Sequence, residues 1–142
     1  MAEKTYAEKY AEQNDICEKN IAVIKPFLKK ISEQYDAGTN FYNDITILSG
    51  PSIAEYNHFY ENRRDLYNRW QQGKVSIYNV KWAGATFVIE YSPIKKPSSA
   101  YMVYKYNNHP VPLEVAVAIK NLYAAQEYRG ILYGCMRSQR NR

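Results

Sequence analysis

Apolar residues recur with helical spacing over the first quarter of the chain. Cys17, Ile21, Ile24, Leu28, Ile31 and Tyr35 lie 4, 3, 4, 3 and 4 positions apart, which sets them on one stripe of a helix from about Thr5 to Tyr35. Tyr6 and Tyr10 extend the stripe less regularly. It spans under three heptads, so it predicts a helix packed on its own domain, with a homodimer seam through this first helix as the alternative. Pro26 interrupts the pattern. Proline removes a backbone donor and crowds the preceding turn, which predicts either a kink near residues 22–25 or a second helix starting at Pro26. Asp36-Ala37-Gly38 then supplies a stop.

Residues 44–48 are short and β-branched, and Ser49-Gly50-Pro51 closes them, which fits a short strand or extended arm. Ser52 and Glu55 have the spacing of a capping box, opening a helix expected to run to about Gln72 and end at Gly73. Ile53, Tyr56, Tyr60, Tyr67 and Trp70 share one of its faces. From Lys74 to Tyr106 the period drops to two. Tyr78, Val80 and Trp82 alternate with Ile77, Asn79 and Lys81; Phe87, Ile89 and Tyr91 with Thr86, Val88 and Glu90; Met102, Tyr104 and Tyr106 with Tyr101, Val103 and Lys105. Three antiparallel strands are expected, the first two joined by a tight turn at Ala83-Gly84. Pro112 suits the first turn of a closing helix with Val115, Ala118, Ile119, Leu122, Leu132 and Met136 on its apolar face, weakened by Gly130 and Gly134. The whole reads as one α+β domain over residues 1–142: a long N-terminal helix, a second helix, a three-stranded antiparallel meander with a fourth short strand as an option, and a C-terminal helix ending in a basic tail, 137–142. The long helices are expected to cover one face of the sheet.

A length of 142 residues fits one domain, and 46% apolar with 15% aromatic residues supplies a core despite a mean hydropathy of −0.59. No run approaches a membrane span, and Met1-Ala2-Glu3-Lys4 lacks the layout of a signal peptide, so a cytoplasmic protein with no membrane partner is expected. Cys17 and Cys135 form no CxxC pair and are read as reduced. Charge changes the picture more. Residues 1–50 carry six lysines and eight acids, whereas residues 51–142 carry thirteen Lys/Arg and six acids, with all seven arginines after residue 62. Arginine's planar fork suits phosphates and carboxylates, so its segregation into one part of the chain says more about a partner than the net charge alone, though only as composition.

No catalytic constellation survives inspection. There is no phosphate-binding glycine loop, no HExxH and no Gly-x-Ser-x-Gly elbow. His58 reads as an ordinary helix residue, and His109 precedes a proline in a turn. Asp44 and Glu90 could hold magnesium on strands, but no lysine stands two residues after Glu90; a solvent-facing strand residue, or the partner of a cross-strand lysine such as Lys105, is the simpler reading of Glu90. No metal or other cofactor is expected. Tyrosine and arginine carry the remaining signal. Tyr78, Tyr91, Tyr101, Tyr104 and Tyr106 with Lys95, Lys96 and Lys105 could form a platform for single-stranded nucleic acid, while the same residue types are favoured at protein interfaces. Arg63, Arg64, Arg69 and Lys74 form a second group, with Glu61 and Asp65 available to pair with them. Arg137, Arg140 and Arg142 form a third, with no acid after Glu127.

The expected function is that of a small non-enzymatic binding protein (inhibitor, adaptor or assembly subunit) acting through a Tyr/Arg-rich surface on a protein or nucleoprotein complex. Direct binding of DNA or RNA through the basic C-terminal two-thirds is the alternative, and an enzyme without a recognisable motif is the third.

Overall fold

The structure, a computed structural model, describes residues 3–33, 45–50, 64–82, 85–92, 99–104 and 107–140. In chain order these form α1 (Tyr6–Ser32), β1 (Thr46–Ser49), α2 (Arg64–Gln71), β2 (Ser76–Trp82), β3 (Ala85–Ser92), β4 (Ser99–Tyr104), β5 (Asn107–Pro110) and α3 (Leu113–Arg140). The strands make one antiparallel sheet in sequence order, β1-β2-β3-β4-β5. The meander is therefore five strands wide. Thr46–Ser49 supplies an edge strand, and Asn107–Pro110, too polar and proline-bearing to read as a strand, pairs with β4 from Tyr104↔Asn107 to Tyr101↔Pro110. Its proline lies at an edge, where a missing N–H breaks no ladder bond. The Ala83-Gly84 turn and the Ser52–Glu55 capping box lie outside the described residues.

Thr5 opens α1 as a capping box, its hydroxyl accepting from the Glu8 amide at 3.1 Å while the Glu8 carboxylate reaches back. Neither a split nor a second start occurs at Pro26, because α1 runs through it unbroken. Pro26 and Ala22 lie on the exposed side, where water can meet the Ala22 carbonyl that lost its donor. The stripe of α1 is spent within the domain. Cys17, Ile24, Leu28 and Ile31 are buried against α3 and the sheet, so this stripe is no free dimer seam. Pairing of Tyr10 with Tyr133 and of Asn14 with Arg129 makes α1 and α3 antiparallel.

Together they cover one face of the sheet. Alternation delivers Tyr78, Val80 and Trp82 from β2, Phe87, Ile89 and Tyr91 from β3, and Ala100, Met102 and Tyr104 from β4 to that face, where Val115, Ile119 and Leu122 of α3 meet them. Neither cysteine is in a disulfide; Cys17 is buried and Cys135 half-buried. Tyr78 packs its ring 5.5 Å from that of Tyr123. Burial pushes the Tyr78 phenol above its ordinary value of 10.0, against the opposing pull of its hydrogen bond with Ser76. Folded chain thus holds this proton to higher pH than unfolded chain. The stabilisation is complete below about pH 10 and is lost as pH rises from there through the folded value. Tyr78→Phe is expected to flatten the alkaline fall in stability, measured by urea unfolding at a series of pH values; an unchanged slope would assign that fall to other groups.

Candidate interaction surface

The opposite face of the sheet carries the short helix α2. Residues that alternate away from the long helices gather there: Val75, Ile77 and Val88 form a small second core against Trp70 of α2. Asn79, buried on the same face, donates through Nδ2 to the Gly50 carbonyl. Gly50 takes φ +86°, and a Cβ on it would stand 3.4 Å from Trp70 Cζ2, so a turn needing left-handed backbone also sits close under the indole. Helix, turn and sheet are thereby tied together.

Arg69 of α2 reaches the sheet on this face. Its Nη1 lies 3.0 Å from Glu90 Oε1, with the two side chains 35% and 13% exposed. Glu90 therefore faces α2 rather than a cross-strand lysine, its ladder neighbours being Ile77 and Tyr101. An ion pair this accessible contributes about 1 kcal/mol or less, so it orients the guanidinium more than it stabilises the domain. One strand over, Tyr101 is 44% exposed, and Leu48 on the β1 edge is 47% exposed. Lys74 and Lys81 are exposed at the same side.

Tyrosine placement corrects the platform expected along the strands. Tyr104, 6% exposed, stacks on Phe87 with ring centroids 4.4 Å apart and planes 19° from parallel; Tyr78 and Tyr91 are buried on the same helix-covered face. Residues 78, 91 and 104 share a pleat side opposite to residue 101, so of the four described strand tyrosines only Tyr101 meets solvent. Lys120 lies 4.7 Å above the Tyr91 ring. Arg63, Lys95, Lys96, Lys105, Tyr106 and Arg142 lie outside the described residues, and Arg64 is placed only as the first residue of α2.

The basic C-terminus is helical rather than a tail as far as Arg140, since α3 continues through Gly130 and Gly134. Among the described residues nothing lies within 4 Å of a Cβ built on either glycine, so no close backbone approach among them explains these glycines. Arg137 stands 6.0 Å from the ring of Tyr133, which is 53% exposed, and Arg129 donates to Asn14 Oδ1 at 2.9 Å. His109 pairs in register with Met102 on β5. Among the described residues no three His, Cys, Asp or Glu side chains gather to hold a metal, and no helix is long and apolar enough to cross a membrane.

One feature carried no motif. Gln126 of α3 accepts from the Ile47 amide at 3.0 Å and donates to the Ile45 carbonyl at 2.7 Å, so a side-chain amide pairs with the open edge of β1 as a strand would. In sequence it is one polar residue among helical ones; only the register of the sheet edge gives it meaning. No family model, curated protein or solved structure matches the chain.

Proposed function

We propose that the chain is a small non-enzymatic binding protein, an inhibitor, adaptor or assembly subunit, that occupies a surface of a protein or nucleoprotein partner through the α2-bearing face of its sheet. The observation that carries this reading is Tyr101, 44% exposed one strand from an arginine whose charge Glu90 already balances. An exposed tyrosine offers large area at small entropic cost, and a pre-oriented, neutralised guanidinium adds hydrogen-bond donors without a net field. A phosphate-binding surface would instead gather cations free of carboxylates.

The test is light scattering with absorbance at 260 and 280 nm on protein purified from its native host, with mass spectrometry of what accompanies it. The expected result is a protein partner at fixed stoichiometry without excess 260 nm absorbance, lost in Tyr101→Ala and weakened only mildly by salt. Co-purifying nucleic acid released by salt would overturn the reading.

That outcome would favour direct nucleic-acid binding at the far end of α3, where the exposed Tyr133 ring lies beside Arg137 and Arg140 follows on the same helix. The sequence holds three arginines over residues 137–142, and three phosphate contacts from them would give a log–log salt slope of about −2 to −3, which deletion of residues 137–142 would abolish.

A further inference from the structure

The outer side of the α1–α3 layer, facing away from the sheet, carries a second set of seam positions that the core does not use. On α3, Leu113, Val117, Asn121, Ala124, Tyr128, Ile131 and Cys135 follow one another at intervals of 4, 4, 3, 4, 3 and 4. On α1, Gln13, Ile16, Asn20 and Val23 follow at 3, 4 and 3. These are the intervals by which a helix presents knobs to another helix. The exposures are 55% for Leu113, 42% for Val117, 40% for Tyr128, 60% for Ile131, 39% for Ile16 and 42% for Val23. Between the stripes runs a groove of 390 Å³ lined by Gln13, Ile16, Asn20, Asn121, Ala124 and Tyr128, among others. Scattered exposed apolar residues are ordinary, but two facing stripes in seam register along a shared groove form a surface built to take helices.

Charge decides the occupant. Residues 3–18 carry five carboxylates and two lysines, −3, while residues 19–33 carry four lysines and one glutamate, +3. Two copies of α1 laid antiparallel set each acidic half against a basic half; laid parallel, they set like against like. A two-fold interface must be complementary to itself, and this helix is so in the antiparallel sense alone. Area agrees. Helices of 27 and 28 residues are about 40 Å long, and two side by side at about 10 Å present a face of roughly 800 Å², the contribution of one partner to a standard stable interface.

We propose that the outer face of α1 and α3 is the interface of an antiparallel homodimer, a second copy of this chain completing a four-helix layer between two sheets. With Ala124 at the dyad, Val117 of one copy meets Ile131 of the other, and the small Ala124 side chain allows close approach. Asn20 and Asn121 supply the polar seam positions that fix register. This face is distinct from the one that bears Tyr101, so a dimer formed here leaves Tyr101 uncovered.

Light scattering on the full chain over a concentration series is expected to give twice 16.6 kDa. Ile131→Glu, at an exposed site that leaves folding intact by circular dichroism, is expected to weaken the dimer on the order of thirtyfold. Ala124→Cys in a Cys135→Ser background is expected to link copies through a disulfide when oxidised glutathione accepts the electrons, whereas Lys81→Cys on the far side of the sheet does not. A mass of 16.6 kDa throughout the series, or a dimer that Ile131→Glu leaves intact, overturns the proposal.

Discussion

Phe87→Ala is expected to lower the unfolding free energy by about 3–5 kcal/mol and the melting temperature by roughly 10–15 °C. Phe87 has no exposed surface, lies on the middle strand of the sheet and stacks at 4.4 Å on Tyr104, so its removal costs the transfer of the ring, the cavity left behind and the stacking contact together. Domains of ordinary stability hold about 5–15 kcal/mol, so this one ring accounts for a third or more of the lower values. Phe87→Leu keeps most of the volume and should lose less than half as much. Urea unfolding separates the contributions: a loss below about 1 kcal/mol for the alanine variant would mean that the helix layer relaxes onto the sheet, and that the stack is not a fixed part of the core.

The same ring shows what alternation made legible. Once residues 77–91 are read at period two, Phe87 and Tyr78 must share one face and Glu90 and Ile77 the other, and the register Val80↔Phe87 and Ile77↔Glu90 agrees. Helical stripes were equally readable, because Ile24, Leu28 and Ile31 recur at a period that only one face of α1 satisfies. Local pattern does not state which of two faces a long helix chooses. The Tyr104 ring, rather than Tyr101, enters the core because strand β4 presents its even-numbered residues to α3, and that choice rests on tertiary packing. Asn107–Pro110 escaped for a related reason: an edge strand is held by backbone pairing on one side and needs no apolar side chains to announce it.

The candidate surface was less readable than the core. Arg69 and Tyr101 stand 32 positions apart in the chain and meet across Glu90 only after α2 has folded onto the back of the sheet. Composition identified the residue types, while long-range topology decided which of them solvent reaches. Val117, Tyr128 and Ile131, by contrast, carried a signal open to inspection from the start. Their seam spacing lies alongside the buried spacing of Val115, Leu122 and Leu132 on the same helix, and the stronger stripe masked the weaker.

Gln126 carries the second large effect. Its amide offers one acceptor and one donor to Ile47 and Ile45, residues 4% and 0% exposed, so truncation strands two backbone groups at a part-buried sheet edge. Gln126→Ala is expected to cost about 1–3 kcal/mol and to leave β1 open to pairing with other chains, seen as faster aggregation on heating. Gln126→Glu is more discriminating. An ionised carboxylate still accepts from the Ile47 amide but sets negative charge against the Ile45 carbonyl, so at neutral pH this variant should lose about 2–4 kcal/mol, more than the alanine variant. A protonated carboxyl is again one donor and one acceptor, and folding therefore raises the pKa of the introduced group above about 4.3, the ordinary glutamate value. A raised folded value places the recovered stability at low pH and removes it as pH rises through that value. The deficit of Gln126→Glu relative to wild type should accordingly shrink as pH is lowered towards 4, whereas that of Gln126→Ala should not, a difference read directly from urea midpoints. Equal deficits for the two variants at all pH values would mean that the amide fills space at the edge of the sheet without pairing with it.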